Sequence, residues 1–346
     1  HPPDPPAPRQ HPFRVGERDI YTTASIGIAC YPADGDSAGD LLKNADAAMY
    51  HAKSLGKNTY QFYSSQLNAT ALQRLDMEQH LRLALERGEF ELHFQPKVAA
   101  RDGRIHGAEA LVRWNHPERG RVSPLEFIPL CEELGLIVPL GNWIIENACS
   151  HIRTWSDQGL VTGRIAVNLS PQQFRQADLL DGIRGIVERT GIQADQLELE
   201  ITESTAMEDV RQCIQILEEL CAMGITISLD DFGTGFSSFS YLKQLPLARL
   251  KIDQSFVRHL ADDAQDRTIV ESIVALAHAL GFSVVAEGVS DQRQLRILQG
   301  MGCDDIQGYL FSPPVPAAEF ARLVASDALS TLAATWRDGP ADMPDQ

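Results

Sequence analysis

The sequence predicts an α/β protein whose main part is an eight-stranded (β/α)₈, TIM-like barrel. Strand-like apolar segments alternate with amphipathic, helix-like segments from residue 90 to residue 311. This alternation is typical of strands joined by crossover helices. A doubly wound open sheet is the alternative, but no Gly-x-Gly-x-x-Gly motif follows the first strand, which weakens it. The predicted strands are residues 90–97, 105–114, 164–169, 197–201, 225–229, 249–252, 283–286 and 305–311.

Amphipathic segments between the strands supply the predicted outer layer of helices. Their apolar residues lie on one face, as expected for helices that pack against a sheet. A leucine-rich helix over residues 66–87 precedes the barrel and joins it to the N-terminal part of the chain. The other predicted helices are residues 125–134, 139–158, 177–190, 208–223, 237–243, 266–280 and 291–299.

The N-terminal part predicts a small α+β fragment. Residues 1–10 contain five prolines, so we expect a disordered leader. Residues 20–31 predict a strand, residues 40–52 a helix and residues 59–63 a second strand, a unit too short to be stable alone. The predicted divisions are a leader (1–18), the α+β fragment (19–63), a linker helix (64–78), the barrel (79–328) and a tail (329–346).

Composition and charge exclude several functional classes. The formal net charge is −17, which argues against DNA or RNA binding because that requires a basic surface. No apolar run approaches the roughly 18 residues that span a membrane, and the N-terminus has no apolar signal core. The six cysteines form no Cys-x-x-Cys pair, which favours free buried thiols in a reducing compartment. We therefore expect a cytoplasmic protein without a membrane segment.

Acids and amides recur at the same position of several predicted strands. On five strands they occupy the alternation that faces the barrel interior, where unpaired carboxylates are prohibitive. The active sites of such barrels lie at the carboxyl ends of the strands, so a carboxylate-lined metal site satisfies both constraints. The residues are Glu109, Asn168, Glu198 with Glu200, Asp230, and Asp253. Glu287 also ends a strand, although it fits the alternation less cleanly.

Asp230 and Asp231 are the strongest single indication of that metal site. They directly follow the apolar strand 225–229, with Asp231 one residue beyond the inward-facing Asp230, and a loop with two glycines comes next. Adjacent carboxylates repel each other and are costly to desolvate, and a divalent cation is the usual remedy. Oxygen ligands, without His-x-His or His-Glu-x-x-His spacing, favour Mg²⁺ or Mn²⁺ over zinc.

Several carboxylates around this aspartate pair suit two cations about 3.5–4 Å apart, an arrangement used for in-line displacement at phosphorus. Lys251 lies two residues before Asp253 on a predicted strand. It could orient the attacking water or stabilise the developing charge. The alternative role for Lys251 is that of a salt-bridged interior lysine.

Part of the N-terminal fragment resembles the C-terminal third of a GGDEF (diguanylate cyclase) domain. The resemblance rests on residues 24–29 and 45–53 and on Gly56-Lys57-Asn58. The Gly-Gly-Asp-Glu-Phe signature that names that family is absent, together with everything upstream of it. The resemblance therefore implies a remnant without cyclase activity.

Eight motifs occur in a fixed order along residues 75 to 325. They are Phe94-Gln95-Pro96-Lys97, Glu109-Ala110-Leu111-Val112-Arg113-Trp114, Asn168-Leu169-Ser170, Leu199-Glu200-Ile201-Thr202-Glu203-Ser204, Asp230-Asp231-Phe232-Gly233-Thr234-Gly235, Lys251-Ile252-Asp253, Ala286-Glu287-Gly288-Val289 and Gln307-Gly308-Tyr309. A single Glu-Ala-Leu would mean nothing, but together and in this order the motifs resemble the EAL domain, the family of cyclic di-GMP phosphodiesterases.

The resemblance implies a barrel whose first strand runs antiparallel to the rest, and two Mg²⁺ or Mn²⁺ ions that support hydrolysis of cyclic di-GMP to linear pGpG. It makes Lys251 the catalytic lysine that positions water, and Glu287 the candidate general base. The implied ligands are Glu109, Asn168, Glu200 and Asp230 for one metal, and Asp230, Asp231 and Glu287 for the other. The implied substrate contacts are Gln95, Leu111, Arg113, Asp253 and Gln307.

The resemblance also implies a homodimer. Glu203 resembles the glutamate that holds the loop of residues 231–238, which in the family shapes the second metal site and the dimer contact. This loop is therefore the expected dimer interface of a cytoplasmic protein whose small-molecule partner is cyclic di-GMP.

Other functions remain open. A receptor module that binds cyclic di-GMP without cutting it would be favoured by the loss of an acid, and none is lost. A barrel enzyme that uses Lys251 and Mg²⁺ for enolising chemistry is another alternative. The pair of Asp230 and Asp231, and Gln95 with Arg113, fit a dinucleotide substrate better. A kinase interpretation of Asp-Phe-Gly at residues 231–233 fails, since no Gly-rich loop, strand lysine or His-Arg-Asp segment accompanies it.

Overall fold

The computed structural model describes residues 13–15, 18–20, 23–54, 58–233 and 239–337. These residues fall into two compact units, one within His1–Leu83 and one within Ala84–Gln346. Across the described part of the chain, no helix combines the length and the apolar character that crossing a bilayer requires.

The N-terminal unit contains two small sheets. Strand β1 (Phe13–Val15) pairs antiparallel with β2 (Arg18–Ile20), and β3 (Ile26–Ile28) pairs parallel with β4 (Tyr60–Phe62). Helix α1 (Ala38–Ser54) connects β3 to β4, which confirms the predicted strand, helix and strand. Strand β1 lies inside the predicted disordered leader, because the proline-rich composition ends at Pro12 and alternating apolar and charged residues follow. Helix α2 (Ser65–Ala84) leads out of this unit.

The larger unit is a closed barrel of eight strands, as predicted. The first barrel strand, β5, pairs antiparallel with both of its neighbours, and the other barrel strands pair parallel. The barrel strands are β5 (Phe90–Ala99), β6 (Ile105–His116), β8 (Arg164–Asn168), β9 (Leu197–Thr202), β10 (Thr226–Phe232), β11 (Arg249–Ile252), β12 (Ser283–Ala286) and β13 (Asp305–Gln307). Two short strands pair antiparallel with barrel strands, β7 (Gly120–Val122) with β6 and β14 (Val315–Pro316) with β5.

Helices surround the barrel close to their predicted positions. They are α3 (Pro124–Glu133), α4 (Ile137–Asp157), α5 (Pro171–Phe174), α6 (Leu179–Thr190), a 3₁₀ turn (Ala194–Gln196), α7 (Glu203–Glu208), α8 (Val210–Ala222), α9 (Phe239–Leu242), α10 (Gln254–Arg258), α11 (Ala264–Ala279), α12 (Gln292–Gly300), α13 (Ala317–Ser326) and α14 (Ala328–Arg337). The segment predicted as a tail begins with α14, where Leu329 and Ala333 are buried.

Three short helices that the sequence pattern did not predict follow barrel strands directly. Ser170 caps α5, Thr202 caps α7 and Asp253 caps α10, each through a side-chain oxygen that accepts a backbone N–H. Capping residues at the ends of strands turn the chain sharply at the carboxyl edge of the barrel. The strand ends therefore lie on short, well-defined turns.

The two faces of the barrel wall differ in polarity. Phe94 of β5 packs on Trp155 of α4 and on Phe320 of α13, with ring centroids 4.9 and 5.8 Å away. Its neighbour Gln95 instead faces the interior and contacts Gln307 of the adjacent strand β13, at 3.0 Å between Nε2 of Gln307 and Oε1 of Gln95. Apolar side chains thus face the helices, and polar side chains line the interior of the barrel.

Gly163 permits a close approach between β8 and β6, the strands that carry Asn168 and Glu109. Its φ is +69°, and an added Cβ would lie 2.0 Å from the carbonyl oxygen of His106.

Gly159 is a matched control for substitution of Gly163, since its φ is +72° and an added Cβ would meet nothing within 4 Å. We expect Gly159→Ala to cost about 1–2 kcal/mol of unfolding free energy, the left-handed penalty alone, and Gly163→Ala to cost clearly more. Urea unfolding of both variants measures this, and equal losses would contradict a steric role for Gly163.

Candidate active site

A bulge in β10 breaks the alternation of side chains at the two adjacent aspartates. On a regular strand, neighbouring side chains point to opposite faces. The register between β10 and β11 shifts between Leu229 and Phe232, and Asp231 has a left-handed φ of 55°. Carboxylate oxygens of Asp230, Asp231 and Glu287 lie within 4.8 Å of one another. The predicted strand end at residue 229 is wrong by three residues, because pairing with β11 resumes at Phe232 and Asp231 lies within the strand.

Lys251 lies at the centre of the acid cluster and is 1% exposed. Its Nζ is 2.6 Å from Oε2 of Glu200 and 2.6 Å from Oε1 of Glu287. It is also 3.1 Å from Oδ1 of Asp230 and 3.5 Å from Oε2 of Glu109. Burial alone would lower the pKa of Lys251, but the surrounding carboxylates outweigh it and hold this pKa well above its ordinary value. The ammonium group is therefore charged and serves as a counter-ion for four acids.

Two amides, Asn168 and Gln307, hold the Glu109 carboxylate, and a third amide, Gln95, contacts Gln307. Nδ2 of Asn168 donates to Oε1 of Glu109 at 2.6 Å, and Nε2 of Gln307 donates to Oε2 at 2.7 Å. Nε2 of Gln95 donates to the carbonyl oxygen of Ser312 at 3.2 Å, and its Oε1 accepts from Gln307. Glu109 is therefore held from both sides, on strands that are distant in the sequence.

One lysine does not neutralise the whole cluster. Burial and the like charges of Asp230 and Asp253 raise the pKa of Asp231 to about 6. Burial, together with the repulsion from Asp230 and Glu109, raises the pKa of Glu287 to about 8. The attraction of Lys251 offsets only part of this rise. A crowded set of hard oxygen ligands with excess negative charge fits a divalent cation such as Mg²⁺ or Mn²⁺.

The remaining predicted site residues lie around this cluster and differ in their contacts. Leu111 and Arg113 are half-buried on β6, and Nη1 of Arg113 donates to the carbonyl oxygen of Val112 at 2.8 Å. The structure gives Arg113 no ion pair with a described residue, and burial lowers its pKa. Asp253 accepts from the backbone N–H of Ser255 at 3.0 Å. Asp253 is thus a helix cap, a structural role that the sequence interpretation did not assign to it.

Glu203 contacts the start of the loop that it is predicted to hold. Its Oε2 accepts from the backbone N–H of Gly233 at 3.1 Å, and the side chain is buried. Residues 234–238, which make up most of the predicted loop and dimer contact, lie outside the described residues.

A second set of charges, here called the lower layer, lies deeper in the barrel. The sequence interpretation placed one member, Glu198, in the interior but did not find its charged partners. Nζ of Lys97 is 2.6 Å from Oε1 of Glu200 and 3.0 Å from Oε1 of Glu198. Glu198 also accepts from Arg249 at 3.2 Å, and Arg249 lies 3.5 Å from Asp305. Burial would raise the pKa of Glu198, but Lys97 and Arg249 lower it to about 2. The lower layer comprises Lys97, Glu198, Ser228, Arg249 and Asp305.

Once the site residues are placed, the lower layer follows a simple pattern in the sequence. Each of its members lies two positions from a predicted site residue on the same strand, and side chains two apart face the same side. The layer precedes the site on the parallel strands and follows it on the antiparallel β5. The pairs are Lys97 with Gln95, Glu198 with Glu200, Ser228 with Asp230, Arg249 with Lys251, and Asp305 with Gln307.

Comparison with known proteins gives two family matches and several close relatives. The EAL domain matches residues 78–314, and the diguanylate cyclase, GGDEF domain matches residues 7–59. Bifunctional diguanylate cyclase/cyclic di-GMP phosphodiesterase MucR of Pseudomonas aeruginosa is 48% identical over 314 residues, 91% of this chain and 46% of that protein. Cyclic di-GMP phosphodiesterase PdeR of Escherichia coli is 37% identical over 311 residues, 90% of this chain and 47% of that protein. The chain thus spans about half the length of these curated relatives.

Solved structures agree with these matches. The PaMucR phosphodiesterase in complex with c-di-GMP is 48% identical, with a TM-score of 0.69, covering 71% of this chain and 99% of that one. The FimX EAL domain of Pseudomonas aeruginosa bound to c-di-GMP is 26% identical, with a TM-score of 0.63, covering 68% of this chain and 94% of that one. Because the EAL match covers more than half of the sequence, this chain belongs to the EAL domain family.

Proposed function

We propose that this chain is a metal-dependent phosphodiesterase that opens cyclic di-GMP to linear pGpG and so lowers the level of a bacterial second messenger. The observation that carries the proposal is the complete set of acids around Lys251, whose ammonium contacts Glu109, Glu200, Asp230 and Glu287 within 3.5 Å. The relatives named as cyclic di-GMP phosphodiesterases support the substrate.

The proposed cation ligands fall into two overlapping groups. Glu109, Asn168, Glu200 and Asp230 would hold one Mg²⁺ or Mn²⁺, and Asp230, Asp231 and Glu287 would hold a second. Two such cations supply Lewis acidity toward an attacking water and toward the phosphate oxygens. The grouping of Asp230, Asp231 and Glu287 within 4.8 Å supports the second site, and the amide contacts to Glu109 support the first.

The chain's own groups would position water and move its proton. The charged ammonium of Lys251 would orient the water and stabilise negative charge that develops on the phosphoryl oxygens. The family resemblance makes Glu287 the proposed general base, and its place beside Asp230 and Asp231 would bring its carboxylate near a water held at the second cation site. Hydrolysis breaks one phosphodiester P–O bond, adds the hydroxyl of water to phosphorus and returns a proton to the leaving sugar oxygen.

Substrate contacts are proposed for Gln95, Leu111, Arg113, Asp253 and Gln307. Arg113 suits a phosphate or a guanine edge, because its planar fork donates in pairs and, among the described residues, no acid forms an ion pair with it. Gln307 contacts both Gln95 and Glu109, so these two amides would couple the bound nucleotide to the first cation site.

An assay with purified protein tests this function. We expect conversion of cyclic di-GMP to pGpG with Mg²⁺ or Mn²⁺, followed by liquid chromatography, and no conversion in excess chelator. Calcium is the matched control, because its larger and looser coordination shell positions water poorly, so we expect binding without turnover. Rapid turnover in calcium would contradict the proposed site. Tight nucleotide binding without turnover in Mg²⁺ and Mn²⁺ would instead favour the receptor alternative.

The remaining predictions about assembly stay predictions. Homodimer formation through residues 231–238 is proposed from the family resemblance, and a cytoplasmic location is proposed because the six cysteines form no Cys-x-x-Cys pair. The segment matched by the GGDEF domain is proposed to lack cyclase activity, because the signature Gly-Gly-Asp-Glu-Phe does not occur in this chain.

A further inference from the structure

The lower layer contains a buried lysine that has no part in the proposed mechanism. Lys97 is 0% exposed, and it contacts both glutamates of β9. One of these, Glu200, is a proposed cation ligand. Its two oxygens are held by different lysines, Oε1 by Lys97 at 2.6 Å and Oε2 by Lys251 at 2.6 Å. Lys97 therefore fixes Glu200 from below while Lys251 faces it from the site.

Glu198 anchors Lys97 rather than serving the site. It is 0% exposed, and its carboxylate is fully engaged within the lower layer. Ser228 donates to Oε1 at 2.5 Å and Arg249 donates to Oε2 at 3.2 Å, which leaves Lys97 as the link between Glu198 and Glu200. Charges of alternating sign thus run from Asp305 through Arg249, Glu198 and Lys97 to Glu200.

Stability alone does not explain such a layer. Bulky branched apolar residues usually fill barrel interiors, and a well-packed apolar replacement of buried ion pairs is often neutral or stabilising. A charged layer directly beneath one ligand carboxylate instead restricts that carboxylate to one orientation. Partners behind a metal ligand commonly serve this purpose.

We propose that Lys97 is a positioning residue that orients Glu200 for cation binding, with Glu198 as its anchor. This inference rests on the proposed function for the identity of the cation site. Without Lys97, the carboxylates of Glu198 and Glu200 would face each other without the ammonium group between them, and Glu200 would turn away. This change removes a ligand from the site.

Mn²⁺ binding to the substrate-free protein, followed by electron paramagnetic resonance, tests this role independently of turnover. We expect Lys97→Met to weaken Mn²⁺ binding about 10–100-fold. Arg249→Met is the matched control, because it removes the other buried cation on Glu198 but leaves the contact between Lys97 and Glu200. Arg249→Met should lower the Tm yet leave Mn²⁺ affinity near the wild-type value.

Lys97→Gln separates positioning from simple charge balance, and it replaces Lys97→Met if that variant does not fold. Glutamine and methionine are both neutral and similar in size, but only glutamine retains an N–H that can donate to Glu200. Partial recovery of Mn²⁺ affinity in Lys97→Gln supports positioning. Equal weakening by Lys97→Met and Arg249→Met, or wild-type affinity in Lys97→Met, would overturn it. A wild-type protein that binds Mn²⁺ but does not cut cyclic di-GMP would refute the proposed function and leave this inference standing.

Discussion

Glu109→Ala is expected to abolish metal-dependent hydrolysis of cyclic di-GMP while leaving the barrel folded. Glu109 is 6% exposed and accepts hydrogen bonds from Asn168 and Gln307, so its carboxylate is pre-oriented before any cation arrives. Loss of even an outer partner of a metal ligand costs about 10–100-fold, so removal of the ligand itself should cost more than about 100-fold in kcat/KM. Steady-state assays at saturating Mn²⁺ measure the loss.

A matched control shows that the loss comes from the site. Glu126 is an exposed glutamate whose ion pair with Arg119 lies on the surface, where such pairs contribute little. Glu126→Ala should therefore keep wild-type activity and Tm. Near-normal activity in Glu109→Ala would remove Glu109 from the proposed ligand set, and a large loss of Tm would assign the effect to folding instead.

The strands of the barrel were predictable because their residues alternate in type. In β9, Leu197, Leu199 and Ile201 face the helices, while Glu198 and Glu200 face the interior. Alternation alone does not say how deep each interior residue lies. Glu200 reaches the site and Glu198 lies one layer below, a difference that depends on the stagger of neighbouring strands. Only the register, with Asn168 opposite Glu200, resolves that depth.

The geometry around Asp231 was not predictable from the pattern. A regular strand would turn Asp230 and Asp231 to opposite faces. The sequence interpretation ended the strand with the apolar run at residue 229 and placed Asp231 one residue beyond it. The bulge and the left-handed φ of 55° keep Asp231 in the strand. A left-handed residue other than glycine is uncommon, and such strain concentrates at functional sites. Aspartate tolerates it better than most residues, but that tolerance does not identify a bulge in advance.

The contacts of Lys251 could not be predicted from the sequence either, because they join residues far apart in the chain. The sequence indicated a lysine near acids but left a salt-bridged lysine as the alternative to a catalytic one. The structure gives Lys251 four ion pairs, including one to Glu109, which lies 142 positions away in the chain. Both descriptions apply to Lys251, since the lysine that is proposed to position water also neutralises the acids.

Lys251→Met is expected to lower the activity and, without metal, the stability of the protein. Activity should fall about 10²–10³-fold, the usual effect of removing one group that stabilises transition-state charge. Without metal, the variant should lose about 3–5 kcal/mol of unfolding free energy, because removing one partner leaves buried charges uncompensated. Lys251 is 1% exposed, so solvent does not screen that loss.

Divalent cations should restore the stability of Lys251→Met but not its activity. In wild-type protein a cation must compete with the ammonium group for Glu200, Asp230 and Glu287, whereas in the variant these acids have no such partner. A ligand that binds only the folded state stabilises it by RT ln(1 + [L]/Kd), so Mn²⁺ should raise the Tm of the variant more than that of the wild type. Thermal unfolding in chelator and in Mn²⁺ tests this comparison. An equal or smaller Mn²⁺-induced rise in the variant would mean that Lys251 does not occupy the acids that the cations use.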